Sequence, residues 1–146
     1  MDETFITLSI NKFLIENNYE VIQCIPPGAQ GALYFSIKNK IIYPDIIAYK
    51  KNVFLVGENK SIFDESDEEK LHNLSLEENL VSMSERILKN YQSSQNINMS
   101  ELTEIRFFLG FSFNKKNRSN KFDNYLVNND GSVILLKNQN PIFKKN

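Results

Sequence analysis

Residues 41–63 read IIYPDIIAYKKNVFLVGENKSIF, and the fold turns on how this stretch is divided. Ile41, Ile42 and Tyr43 lead into Pro44-Asp45, an apolar run resumes over 46–49, Lys50-Lys51-Asn52 interrupts it, and Val53, Phe54, Leu55 and Val56 begin the next. Two arms rich in β-branched and aromatic residues, joined by a short polar break, predict adjacent strands of a hairpin. The first arm carries Asp45 and the second ends in Gly57-Glu58-Asn59-Lys60. Alternate residues of a strand share a face, so Glu58 and Lys60 point one way and Asn59 the other. The hairpin register is expected to bring Asp45 beside them.

Two carboxylates supplied by neighbouring strands are hard oxygen ligands of the kind Mg²⁺ prefers, an ion that keeps several of its waters. A lysine on the same face would sit beside such a water, to orient or deprotonate a nucleophile or to stabilise charge on a phosphorane-like transition state. The plainer alternative makes Asp45 a turn residue after Pro44, and Glu58 with Lys60 an exposed cross-strand pair worth little. Against it, a charge inside IIYPDIIAY is expensive unless it is paired or metal-bound.

Pro44-Asp45 and Glu58-Asn59-Lys60, with Asp45 and Glu58 thirteen positions apart, resemble the motif of the PD-(D/E)xK nucleases, the restriction-endonuclease-like superfamily. The resemblance covers roughly the N-terminal half of the chain. It implies an α/β fold: a single domain over residues 1–146, with a restriction-endonuclease-like core. That core is a central mixed β-sheet flanked by helices in the order helix, three strands, helix, strand. It implies Mg²⁺-dependent hydrolysis of DNA phosphodiester bonds, with Mn²⁺ able to substitute. Asp45, Glu58 and the Asn59 backbone carbonyl would hold the metal, and Lys60 would stand at the attacking water. Many family members carry an acidic residue on the first helix facing the metal, and Glu3 is the candidate here, although an acid in a first turn also suits the helix dipole.

One active site per protomer further implies a homodimer or a second protein subunit for cutting both strands. Two alternatives stand beside this reading. One is a non-catalytic docking or interaction subunit of the same fold, against which the retention of Asp45, Glu58 and Lys60 argues. The other is an RNA-directed nuclease using the same chemistry.

A chain of 146 residues with 41% hydrophobic content is long enough for one domain with its own core. No apolar run approaches the length of a membrane span, and the acidic start MDETF is unlike a signal peptide, so a cytoplasmic, membrane-free protein is expected. The single cysteine, Cys24, has no internal disulfide partner and, in an apolar strand pattern, reads as a buried small residue rather than a nucleophile. A net charge of −1 argues against a free-standing, tight nucleic-acid binder. The charge is uneven, however. Acids crowd into residues 64–85, while Lys115, Lys116, Arg118 and Lys121 cluster, and the first three are candidate substrate contacts. Gln30, inside the turn-forming PPGAQG segment, is another.

Around the central stretch, residues 3–17 predict an amphipathic helix capped by Asp2, with Ile6, Ile10, Phe13 and Leu14 on its apolar side. Residues 19–25 and 32–37 predict strands, making a meander into the hairpin. The acidic run 64–69 lacks the spacing and glycine of a calcium loop and reads as a solvated face. A helix is predicted over 76–91, with Leu80, Met83, Ile87 and Tyr91 in one stripe. The run IRFFLGFSF predicts a central strand over 105–113, and Asp130-Gly131 the turn of a last hairpin.

Overall fold

The computed structural model describes residues 1–114 and 117–146. Helix α1 (Glu3–Glu16) starts at Asp2, whose carboxylate accepts the Phe5 amide hydrogen at 2.8 Å, and it buries Ile6, Ile10 and Leu14. Strand β1 (Glu20–Cys24) follows, and after a loop come the short strands β2 (Phe35–Ile37) and β3 (Lys40–Ile42), which pair with each other in a separate two-stranded sheet. Strands β4 (Ile46–Lys50) and β5 (Val53–Asn59) form the expected hairpin. Helices α2 (Glu65–Ser75) and α3 (Leu80–Ser94) carry the chain across the sheet to β6 (Glu104–Ser112), which lies parallel to β5, as a helical crossover permits. Strand β7 (Asp123–Val127) is parallel to β6, β8 (Val133–Leu136) returns antiparallel to β7, and β9 (Phe143–Lys144) pairs with β6.

The main sheet therefore runs β1-β4-β5-β6-β7-β8, a mixed sheet with helices on both faces. Strand alternation sorts the side chains. Ile46, Ala48, Leu55, Phe108 and Tyr125 pack with α1, whereas Ile47, Tyr49, Phe54, Val56, Phe107 and Leu109 pack with Leu71, Leu74, Leu80 and Ile87 of the other helices. Strand β6 is flanked by parallel neighbours and buried on both faces, which accounts for its unbroken apolar run. No helix among the described residues is long and apolar enough to cross a membrane.

The structure departs from the sequence reading at three places. The expected meander is interrupted, because residues 32–34 are not strand, and the β2–β3 hairpin leaves the main sheet so that β1 pairs directly with β4. The arm 41–49 is two strands, and Asp45 sits in the bend between them. Pro44 brings no backbone donor to a ladder, and its carbonyl is taken by the Gln23 side chain at 3.0 Å. Finally, the acidic run expected to be a solvated face forms α2, capped by Asp64 accepting the Ser66 amide hydrogen at 2.8 Å, and the helix expected over 76–91 begins only at Leu80.

Candidate active site where β4 begins and β5 ends

The β4–β5 register pairs Ile46 with Gly57, which sets Asp45 opposite Glu58, both on the face covered by α2 and α3. The Asp45 amide donates to Glu58 Oε2 at 3.1 Å, and the Asn59 amide, next along β5, donates to Asp45 Oδ2 at 2.7 Å. Glu58 is 2% exposed, so it is no surface partner of Lys60. Because a strand residue points its N–H and C=O to the same edge, the Asn59 carbonyl lies on the Asp45 side of β5. The Asn59 side chain faces the other way, its amide donating to Thr7 Oγ1 of α1 at 3.4 Å.

Lys60 follows immediately, its amide donating to the Gly110 carbonyl of β6 at 3.0 Å. Its Nζ lies 3.6 Å from Glu3 Oε1 at the start of α1, and the nearby carboxylates, Asp67 foremost and then Glu3, Asp45 and Asp64, raise its pKa. From α2, the Lys70 ammonium reaches Glu58 Oε1. Burial pushes the Glu58 carboxyl up to about 8, the adjacent Asp45 adding to the shift and Lys70 opposing it. Burial likewise raises Asp67 to about 6, against the pull of Lys60. Cys24 is raised by burial first and by Asp45 second.

This donor set fits a hard divalent cation. A nearly sealed carboxyl beside a second one, disfavoured as an anion with only Lys70 in contact, is electrostatically short of positive charge. Asp45, Glu58 and the Asn59 carbonyl offer oxygen alone, as Mg²⁺ or Mn²⁺ prefers, and leave the remaining positions to water. Among the described residues no group of three or more His, Cys, Asp or Glu side chains is gathered that could hold a metal ion.

Of the residues singled out from sequence, Asp45, Glu58, Asn59, Lys60 and Glu3 are brought together. Gln30 lies exposed in the loop after β1, and no hydrogen bond among the described residues ties it to Asp45, Glu58 or Lys60. Arg118 turns back on its own loop, donating to the Phe113 carbonyl at 3.2 Å and lying over the Phe111 ring. Lys115 and Lys116 lie outside the described residues.

Sequence reasoning missed three residues. Asp67 and Lys70 sit three apart on α2, and their signal was the Asp64-x-Ser66 cap, which turns an acidic run into a helix with one face towards the sheet. Gln23, a lone amide within EVIQC, accepts from the Ala32 and Leu33 amides at 3.2 and 2.8 Å. It donates to the Leu33 and Pro44 carbonyls at 3.1 and 3.0 Å, fixing the chain just ahead of Asp45. Compared with models of known families and with curated proteins, the sequence matches none.

Proposed function

We propose that this protein is a metal-dependent nuclease of the PD-(D/E)xK type that hydrolyses DNA phosphodiester bonds. The observation that carries the reading is the facing pair Asp45 and Glu58, cross-bonded through each other's strands, with Lys60 two residues on and held by Glu3. The element order supports it as well. With the β2–β3 hairpin set aside, the chain runs helix, three antiparallel strands, helices, then a strand parallel to the third, which is the order of the restriction-endonuclease-like core.

Asp45, Glu58 and the Asn59 carbonyl would hold Mg²⁺ or Mn²⁺, which when bound supplies Lewis-acid stabilisation of the phosphoryl oxygens. Lys60 works as a cation: its raised pKa keeps it an ammonium near neutral pH, so it orients the attacking water and stabilises charge building on phosphorus oxygens rather than acting as a base. Asp67, whose carboxyl titrates at about 6 beside Lys60, is the group best matched to accept a proton from that water. The water oxygen attacks phosphorus as its proton passes to Asp67, the bond to the leaving oxygen breaks, and that oxygen takes up a proton from solvent while Asp67 returns its own to solvent.

A non-catalytic docking subunit is the weaker alternative, because a buried carboxyl such as Glu58 beside a second one is costly and serves no docking surface. The test is a cleavage assay on plasmid, single-stranded and branched DNA, and RNA, with Mg²⁺ or Mn²⁺. Metal-dependent products that vanish in Asp45→Ala support the reading, and RNA as the sole substrate moves it to the RNA-directed alternative. A cytoplasmic location goes with that activity.

We infer a second copy of this chain as the protein partner. Strand β8 ends the sheet, and among the described residues no strand pairs with its outer edge. Ile134, Leu135 and Leu136 are exposed there. A two-fold related antiparallel copy of β8 would set Leu135 opposite Leu135 of its twin and Ile134 opposite the twin's Leu136, each pair on one face of the sheet.

A further inference from the structure

Strand alternation in the β2–β3 hairpin buries Phe35, Ile37 and Ile42 against the core and leaves Tyr34, Ser36, Ile41 and Tyr43 on the outer side. The register that pairs Phe35 with Ile42 sets Tyr34 opposite Tyr43. Their rings meet edge to face, with centroids 5.8 Å apart, while remaining 48% and 42% exposed. Two aromatic rings held this way outside a core contribute little to stability, yet they offer flat faces to a ligand. They also lie close to the acid pair, since Tyr43 precedes Asp45 by two residues, a span of at most about 7 Å.

The platform is fixed at both ends by one side chain. Gln23 bonds the Leu33 backbone immediately before Tyr34 and the Pro44 carbonyl immediately after Tyr43. Its electrostatics point to a polyanion. Residues 25–44 contain no Asp or Glu, and Lys38 and Lys40 at the hairpin tip form no ion pair among the described residues. Lys38 also holds a left-handed backbone, φ 50°, where Asn or Gly would be the easier residue. Beyond Tyr34, a groove of about 440 Å³ opens between β2 and α3, lined by Ser36, Met83, Arg86, Asn90 and Tyr91. Arg86 likewise has no ion pair among the described residues.

We propose that Tyr34 and Tyr43, with Lys38 and Arg86, form a binding surface for single-stranded nucleic acid that feeds the strand to Asp45 and Glu58. Tyrosine faces stack on unpaired bases of any sequence and have no purchase on bases already stacked in a duplex, while the cations meet the phosphates. The acids around Lys60 leave the catalytic end poor in phosphate anchors, and the hairpin supplies them from the side. The surface would take unpaired segments of the nucleic acid; it rests on the nuclease reading for the direction of feeding, but the binding itself is measurable without catalysis.

The experiment is fluorescence anisotropy in EDTA, with labelled single-stranded DNA, single-stranded RNA and duplex DNA of one sequence, about 12 nucleotides long. Wild type is expected to bind single strands more tightly than duplex. The double variant Tyr34→Ala/Tyr43→Ala is expected to lose about tenfold or more, and Tyr34→Phe/Tyr43→Phe to retain wild-type affinity because the ring faces remain. Lys38→Gln is expected to lower the salt slope by about 0.7. The DNA and RNA arms tell which single strand is taken. Duplex bound as tightly as single strands, or a double alanine variant that binds like wild type, overturns the proposal. If tyrosine-dependent binding is seen but no metal supports cleavage, the platform stands and the nuclease reading falls. If the protein cleaves but the alanine variant binds and cleaves unchanged, the nuclease stands and the platform falls.

Discussion

At the scale of single residues, the site separates groups that look equivalent in the sequence. Lys60 and Lys70 both neutralise carboxylates, but Lys60 reaches Glu3 at the head of α1 while Lys70 reaches the buried Glu58. If Lys60 orients the water and stabilises transition-state charge, Lys60→Ala lowers turnover by a factor of about 10² or more, as loss of one preorganised electrostatic group does. Metal affinity in that variant stays near wild type by calorimetric titration. Asp45→Ala instead abolishes turnover and weakens Mg²⁺ or Mn²⁺ binding, with circular dichroism checking that both proteins fold. A folded Lys60→Ala protein that cuts at the wild-type rate removes Lys60 from the mechanism. Glu58 gives a second, independent handle. Its carboxyl titrates at about 8 in the folded protein against 4.5 ordinarily, so between those values the metal-free native state holds a proton that the unfolded chain has released. Stability therefore falls as pH rises through that window, and Asp67 adds the same trend up to about 6. In EDTA, Tm at about pH 5 should exceed Tm at about pH 8.5, and Glu58→Gln should flatten the difference. A rise in wild-type Tm with pH would mean that Glu58 is not held neutral.

At the scale of elements, the parts of the site that could be read from sequence are those set by period and turn chemistry. The polar break at Lys50-Lys51-Asn52 signals the β4–β5 hairpin, so the nearness of Asp45 and Glu58 was legible, but the register that sets them face to face, with Lys50 still in β4 and paired with Val53, was not. Asp2, Ile6, Ile10 and Leu14 gave α1 in the same way. What was not legible depends on contacts distant in sequence. Nothing local says that Gln23 will bond residues ten and twenty-one positions on, or that this bond will split the arm 41–49 at Pro44. Nor does an acidic composition show that Asp67 and Lys70 face the sheet rather than water, since that follows from where the crossover sets α2 down. Gly110 shows the same dependence. A Cβ there would lie 2.2 Å from Ile10 Cδ1 and 2.4 Å from Asn59 Oδ1, so a side chain at this point of β6 has to displace the buried tips of Ile10 on α1 and Asn59 at the end of β5. Gly110→Ala is expected to cost about 1–3 kcal/mol in chemical denaturation. Because the Gly110 carbonyl also holds the Lys60 amide, the same variant is expected to lower turnover under conditions where it is fully folded. A variant with wild-type stability would show that α1 can shift without penalty.

At the scale of the whole molecule, one site per chain and an open sheet edge lead to the same conclusion. A single site cuts one strand of a duplex, whereas concerted cutting of both needs two sites in one assembly. The exposed edge of β8 carries Ile134, Leu135 and Leu136 with no charge among them, although sheet proteins ordinarily guard such an edge against association. Four residues of strand pairing fall short of the roughly 800 Å² per partner typical of a stable interface. The same side of the molecule also exposes Phe5 and Leu8 of α1, across a groove whose far wall is Asp130, Gly131 and Val133, and these add apolar surface next to the strand. Sedimentation of wild type is therefore expected to give a dimer. Ile134→Lys/Leu136→Lys, which sets charges at the edge while leaving Leu126 and Val127 of β7 in the core, is expected to give a folded monomer. On plasmid DNA that monomer should nick where the dimer linearises. A wild-type protein that sediments as a strict monomer and still cuts both strands concertedly would break the link between the β8 edge and the second site.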